Sequence, residues 1–242
     1  MPFDPRQVLV SCEHASNRLP DGMEGSDDML NLHIAWDVGA LPIAEYLAST
    51  FDAPLHKGEY SRLVVDLNRT IGNSRLIRRI SDGHRIPFNR RLTNQEVERR
   101  VELYYNPYRR AVIQNVAEIK NREGRCIHLS IHTFTPVLQD KTRSNDIGLM
   151  YDPRRNPEAE LVHEMRTKLA ERTKLVVWLN RPYLGTADGF LPRLRELHQA
   201  KHYVGIELEV NQKHTDAPDR LTFIAESFGC VLKDLNWATE TS

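Results

Sequence analysis

Gln7-Val8-Leu9-Val10-Ser11-Cys12 is a short apolar run that stops abruptly at Glu13-His14-Ala15-Ser16-Asn17, which is polar and small. A run of this length suits a strand buried on both faces, as strands of a parallel sheet are. The same pattern recurs at residues 61–67, around Leu63, Val64 and Val65, and at residues 125–131, which are followed by His132 and Thr133. It recurs again at residues 147–151, 175–179 and 203–210. Between these runs the period lengthens. Ile34, Val38, Leu41, Ala44 and Ala48 fall at helical spacing within residues 33–51, flanked by Tyr46 and Leu47, and Pro42 places the regular start near Gly39. Thr93-Asn94-Gln95-Glu96 has the spacing of a capping box and opens a helix to about residue 120, which Pro107 should kink or split. Helices are also expected over 158–172, 189–199 and 221–235. Strands separated by helices predict one α/β domain over residues 1–242. Its sheet should be mostly parallel but mixed, with helices on both faces.

Composition narrows the function. Lys plus Arg and Asp plus Glu are 33 each, so the formal net charge is zero. That balance gives no general attraction to nucleic acid or anionic membrane. The arginine-rich stretch from Arg75 to Arg91 contains one aromatic residue, Phe88, too few for base stacking. Cys12, Cys126 and Cys230 are odd in number and far apart, with no CxxC pair, which predicts reduced thiols in a cytoplasmic protein. Met1-Pro2-Phe3-Asp4-Pro5 lacks the basic and apolar regions of a signal peptide, and no apolar run is long enough to span a membrane.

Ligands of open α/β sheets bind outside the carboxyl ends of the strands. Those ends carry Glu13 and His14, then Asn68 and Arg69, then His132, and finally Glu207 and Glu209. Two imidazoles with carboxylates suit a zinc site with an open position, although no HExxH signature is present. Glu207 and Glu209, two apart on a strand, share one face. They are either a solvated pair on an edge strand or a buried pair whose raised pKa fits a general base. In Asp66-Leu67-Asn68-Arg69, Arg69 offers a planar fork to a carboxylate, Asn68 adds a neutral donor, and Asp66 is placed to hold Arg69 or Arg62.

Several blocks then resemble the N-formylglutamate amidohydrolase family. They are Cys12-Glu13-His14-Ala15-Ser16-Asn17, His33-Ile34-Ala35-Trp36-Asp37-Val38-Gly39-Ala40 and Tyr60-Ser61-Arg62-Leu63-Val64-Val65-Asp66-Leu67-Asn68-Arg69. Ser81-Asp82-Gly83, Ser130-Ile131-His132-Thr133-Phe134-Thr135-Pro136 and Gly205-Ile206-Glu207 follow in order. The resemblance implies a phosphorylase/hydrolase-like, zinc exopeptidase-like fold related to zinc carboxypeptidases and aspartoacylase. It implies one zinc ion, a small-molecule carboxylate substrate and a place in histidine catabolism. His14 and His132 resemble the metal histidines, Asn68 and Arg69 the carboxylate clamp, and Glu207 the general base more closely than Glu209 does. The related peptidases have a glutamate where this chain has Asn17. Asp37 is therefore taken as the third ligand, with Glu13 the alternative.

The resulting expectation is amide hydrolysis, with zinc on His14, Asp37 and His132, and Glu207 as base with Glu209 in reserve. Arg69 and Asn68, supported by Asp66, hold the substrate carboxylate, while Arg62 either stabilises the oxyanion or helps with the carboxylate. Hydrolysis of another N-acyl amino acid or small peptide, and carboxylate binding without catalysis, are the alternatives.

Overall fold

The computed structural model describes residues 3–235. Met1 and Pro2, which open the segment read above as lacking a signal peptide, lie outside the described residues. So do residues 236–242 of the expected domain.

Six strands form the main sheet: β1 (Val8–Cys12), β2 (Leu55–Lys57), β3 (Cys126–Phe134), β4 (Ile147–Met150), β5 (Val177–Leu179) and β6 (Tyr203–Asn211). Their order is β2-β1-β3-β6-β4-β5. The first four are mutually parallel, β4 runs antiparallel to β6, and β5 pairs parallel with β4. The principal helices are α1 (Ala40–Phe51), α2 (Asn94–Arg100), α3 (Asn106–Glu123), α4 (Asn156–Thr173), α5 (Phe190–Leu197) and α6 (Pro218–Lys233). The architecture is therefore the expected one, a mostly parallel mixed sheet flanked by helices.

Alternation along the strands divides the side chains between the two faces. Val8, Val10, Ile127, Leu129, Ile131, Val204, Ile206 and Leu208 pack against Ile43 and Leu47 of α1, Val162 and Met165 of α4, and Ile224 and Phe228 of α6. On the opposite face Leu9, Cys126 and Tyr203 meet Val112, Val116 and Ile119 of α3 and Phe190 and Leu194 of α5. Followed toward the carboxyl ends of the strands, this second face turns polar. It continues as Ser11 and Glu13, as His128, Ser130 and His132, and as Glu207 and Glu209. The register sets Glu207 beside Ser130 and Glu209 beside His132.

Residues 61–67 are not a strand. The edge strand is Leu55–Lys57, paired with β1 through Leu55 and Val10. Leu63, Val64, Val65 and Leu67 are nonetheless buried, so the apolar signal reports burial correctly but not conformation. The chain here makes two successive turns, closed by Val64 N–H to Ser61 O at 2.9 Å and Arg69 N–H to Asp66 O at 3.2 Å. Buried carbonyls need donors wherever the chain runs, and here side chains replace a strand ladder. Arg100 Nη1 donates to Val64 O (3.1 Å), Asn89 Nδ2 to Leu63 O (2.8 Å), Arg109 Nη1 to Leu67 O (3.0 Å) and Tyr105 Oη to Arg69 O (2.7 Å).

Three of those donors come from the expected long helix. It starts with the expected capping box at Thr93 and Glu96. It is then interrupted by a π-helical turn, Val101–Tyr105, immediately before the segment containing Pro107. Proline lacks the N–H that would continue an α-helix, and the wider turn accommodates the break. β3 extends to Phe134, so His132 lies within the strand rather than after it.

Candidate metal centre

Glu13 and His14 leave the end of β1 beside Gly58, whose N–H donates to Cys12 O at 2.9 Å. A Cβ at Gly58 would stand 2.1 Å from Glu13 O, so only glycine permits this approach. Asp37 lies in the loop before α1, its N–H bonded to His14 O at 3.0 Å. Gly39, at φ +81°, turns the chain into that helix.

His14, Asp37 and His132 converge and are buried, each exposing at most 4%. One donor atom from each lies within 4.8 Å of the others. Asp37 Oδ2 is 2.8 Å from His132 Nδ1 and 3.2 Å from His14 Nδ1. The opposite ring nitrogens face two further carboxylates: His14 Nε2 is 2.8 Å from Asp66 Oδ1, and His132 Nε2 is 3.2 Å from Glu13 Oε2. A neutral imidazole donates from one nitrogen only. Two rings with carboxylates on both sides therefore call for extra positive charge between the Nδ1 atoms and Asp37. A divalent cation supplies it for both rings at once, and carboxylates on the remote nitrogens are the usual supports of metal-bound histidines. The donor set fits a metal ion.

The charges around this centre respond to one another. Burial by itself would raise Glu13 and Asp37, but His132 for the former and His14 with His132 for the latter hold both well below the usual carboxylate range. Burial opposes protonation of His132, yet the Asp37 and Glu13 carboxylates keep it well above the usual histidine value.

Arg62 donates through Nη1 to Asp37 Oδ1 at 3.2 Å, and through Nε and Nη2 to Asp66 Oδ2 at 3.3 and 2.9 Å. Asp66 is buried and holds both Arg62 and His14, so it organises the site rather than meeting a substrate. Arg62 is likewise held by two carboxylates. Asn68 Oδ1 accepts the N–H of Phe190 at 2.7 Å, capping α5 from outside, and its Nδ2 stands 3.4 Å from His132 Nε2. Half-buried Arg69 is held through Nη1 by Asn68 O (2.7 Å) and Asp188 O (2.8 Å). Its remaining guanidinium nitrogens have no hydrogen-bond partner among the described residues.

Glu207 and Glu209 both face this side of the sheet, on β6, which is an interior strand rather than an edge strand with one solvated face. Burial pushes both upward, Glu209 to about 8. Glu209 Oε2 is fully buried and has no partner among the described residues. Asn17 stays outside the cluster, its Nδ2 bonded to Asn31 at 3.2 Å.

Two further residues enter the site without having been expected there. The Tyr108 hydroxyl donates to Glu13 Oε1 at 3.1 Å, and Ser130 donates to Glu13 Oε2 at 2.7 Å and lies 3.0 Å from His132 Nε2. The period of two along β3 pairs Ser130 with His132 on one face, and that spacing is a usable signal. Nothing in the sequence marks Tyr108.

Fold and site together define an α/β protein with a candidate metal centre at the carboxyl ends of its parallel strands. The model of the N-formylglutamate amidohydrolase family matches residues 6–214, and the chain belongs to that family, which makes it an amidohydrolase. The solved structure of gene product Atu2144 from Agrobacterium tumefaciens is similar at 29% identity and a TM-score of 0.79, over 93% of this chain and 88% of that one. N-formylglutamate amidohydrolase from Ralstonia eutropha JMP134 shares the fold at 18% identity and a TM-score of 0.74, over 93% and 91% of the two chains. No match was found among curated proteins.

Proposed function

We propose that this protein hydrolyses the amide bond of N-acyl amino acids, with N-formyl-L-glutamate as substrate and formate and glutamate as products, and that it depends on one zinc ion. The observation that carries this reading is the pair of histidines, each set between Asp37 and a second carboxylate. His14, Asp37 and His132 would hold the ion, which when bound supplies a water that ionises near neutral pH and polarises the scissile carbonyl.

The protein's own groups do the rest. Asn68 and Arg69 bind a substrate carboxylate, and their fastening to Phe190 and Asp188 fixes the distance between clamp and reacting amide. Glu207, less enclosed than Glu209 and raised by burial, takes the proton of the attacking water and passes it to the leaving nitrogen. Burial raises Glu209 above the usual carboxylate range, which favours its protonated form and lessens repulsion toward an anionic substrate. Arg62 positions Asp37 and Asp66 and lends its charge to the region of the carbonyl.

The phosphorylase/hydrolase-like, zinc exopeptidase-like placement belongs to the same proposal, supported by a sheet with its candidate site at the strand ends. Free thiols at Cys12, Cys126 and Cys230 support a reducing, cytoplasmic setting. Among the described residues no helix is long and apolar enough to cross a membrane.

The test is a panel of N-acyl amino acids assayed with and without chelator. N-formylglutamate cleavage that disappears on chelation and returns with zinc is the expected result. Cleavage indifferent to chelation would remove the metal from the reaction, and failure to cleave any member would refute the activity.

A further inference from the structure

The arginine-rich stretch from Arg75 to Arg91 finds no use in the mechanism above, yet the backbone of one of its members, Arg78, is tied to the loop that carries Arg62. Asn89 Nδ2 donates at once to Leu63 O (2.8 Å) and Arg78 O (2.7 Å), which sets the backbone of Arg78 alongside that of Arg62 and Leu63. Arg78 is half-buried, and Nη1 donates to Ser81 Oγ at 3.2 Å. It has no carboxylate partner among the described residues. The nearby carboxylates are already engaged: Asp66 and Asp37 bind Arg62 and the histidines.

We infer that Arg78 is a specificity-determining residue that holds the second carboxylate of a dicarboxylic substrate, while Asn68 and Arg69 hold the first. This rests on the amidohydrolase reading for the identity of the substrate, but its binding claim can be tested apart from turnover. Burial and then repulsion from Arg62 bring Arg78 down to about 10, with Arg69 and Arg75 adding to the repulsion and Asp66 opposing it. A half-enclosed guanidinium with no carboxylate of its own among the described residues is unfavourable, and an anion arriving beside it relieves this. One carboxylate satisfies the Asn68–Arg69 clamp; a second meets the fork of Arg78. Arg143 also lacks a carboxylate partner among the described residues, but it donates to Tyr183 Oη at 3.2 Å and to Thr135 O at 3.4 Å, with Phe134 and Tyr183 within cation–π range. Its fork is therefore less available.

The experiment is calorimetric binding of glutarate and butyrate to the metal-loaded protein and to Arg78→Gln, Arg78→Lys and Arg143→Gln. Hydrolysis of N-formyl-L-glutamate and N-formyl-L-norvaline is measured on the same samples. Arg78→Gln should weaken glutarate about 10- to 100-fold, as loss of a charge-assisted bond does, with little change for butyrate and partial recovery in Arg78→Lys. In hydrolysis the loss should fall on KM for the dicarboxylate. Equal losses on both ligands, no loss, no glutarate binding by the unmutated protein, or a selective loss in Arg143→Gln alone would overturn the assignment. Selective glutarate binding through Arg78 without hydrolysis of either formyl compound would sink the amidohydrolase reading and leave this one standing.

Discussion

Asp66 Oδ1 lies 2.8 Å from His14 Nε2, on the side of the ring away from Asp37. The same aspartate accepts two bonds from Arg62 and the backbone N–H of Asn68. It therefore fixes a proposed metal ligand, the arginine that steadies Asp37 and the start of the carboxylate clamp. Asp66→Asn should weaken zinc binding by about 10- to 100-fold, the usual effect of losing such a support, measured by competition with a chromogenic chelator. Asn17→Ala, at a position outside the cluster, should bind zinc as the unmutated protein does. Equal affinities in all three proteins would remove Asp66 from the metal site.

The two glutamates of β6 are separable by experiment. Glu207→Gln should reduce kcat by about 10²- to 10⁴-fold, the contribution of a general base, with zinc content unchanged by elemental analysis. Glu209→Gln keeps a hydrogen-bonding side chain and should cost much less. If activity instead survives in the Glu207 variant and collapses in the Glu209 variant, the base is Glu209, and its unpartnered oxygen is the reason.

Much of this architecture is legible in the amino-acid sequence. Val8–Cys12 and Tyr203–Asn211 announce themselves because strands buried on both faces tolerate polar interruptions only where a site lies. The site itself is legible where chemistry follows a strand end, as with His14, or repeats at a period of two along a strand, as with Glu207 and Glu209. What stays hidden depends on partners distant in sequence. His14 and Asp66 are 52 residues apart, and nothing in either neighbourhood announces the other. Residues 61–67 mislead for a related reason: a buried apolar run looks the same whether a strand ladder or, as here with the two residues that follow, four side chains hold it.

Those four side chains give a stability test. Arg100 donates to Val64 O, to Asn89 Oδ1 at 2.6 Å and to Phe88 O at 3.0 Å. Arg100→Met keeps most of the side-chain volume but leaves these buried acceptors unpaired. The expected cost is about 2–4 kcal/mol, read as a shift in the urea midpoint. The loop also carries Arg62 and Asp66, so zinc affinity should fall with it. A variant as stable as the unmutated protein would mean that the loop is held by its apolar contacts alone.

His128 supplies a pH test on the buried face of β3. Its Nδ1 lies 2.9 Å from Tyr203 Oη and its Nε2 2.8 Å from Ser11 Oγ. Both partners are hydroxyls that can donate or accept, so a neutral ring is fully satisfied. Burial, partly opposed by the Glu13 carboxylate, pulls His128 from 6.5 down to about 4. The unfolded chain therefore takes up this proton below pH 6.5, while the native protein resists until about pH 4. The His128 contribution is complete above pH 6.5 and is lost as the pH falls from there toward 4, by about 3 kcal/mol at the end of that window. Urea unfolding of the metal-free protein at pH 7.5 and pH 5 reads the whole pH dependence, to which His132, raised by Asp37 and Glu13, contributes in the opposite sense, so the His128 share is read against a variant. In His128→Gln, which has no titrating ring, the difference between the two pH values should shrink by about 2 kcal/mol. An undiminished pH dependence in the variant would mean that His128 is not held neutral in the native state.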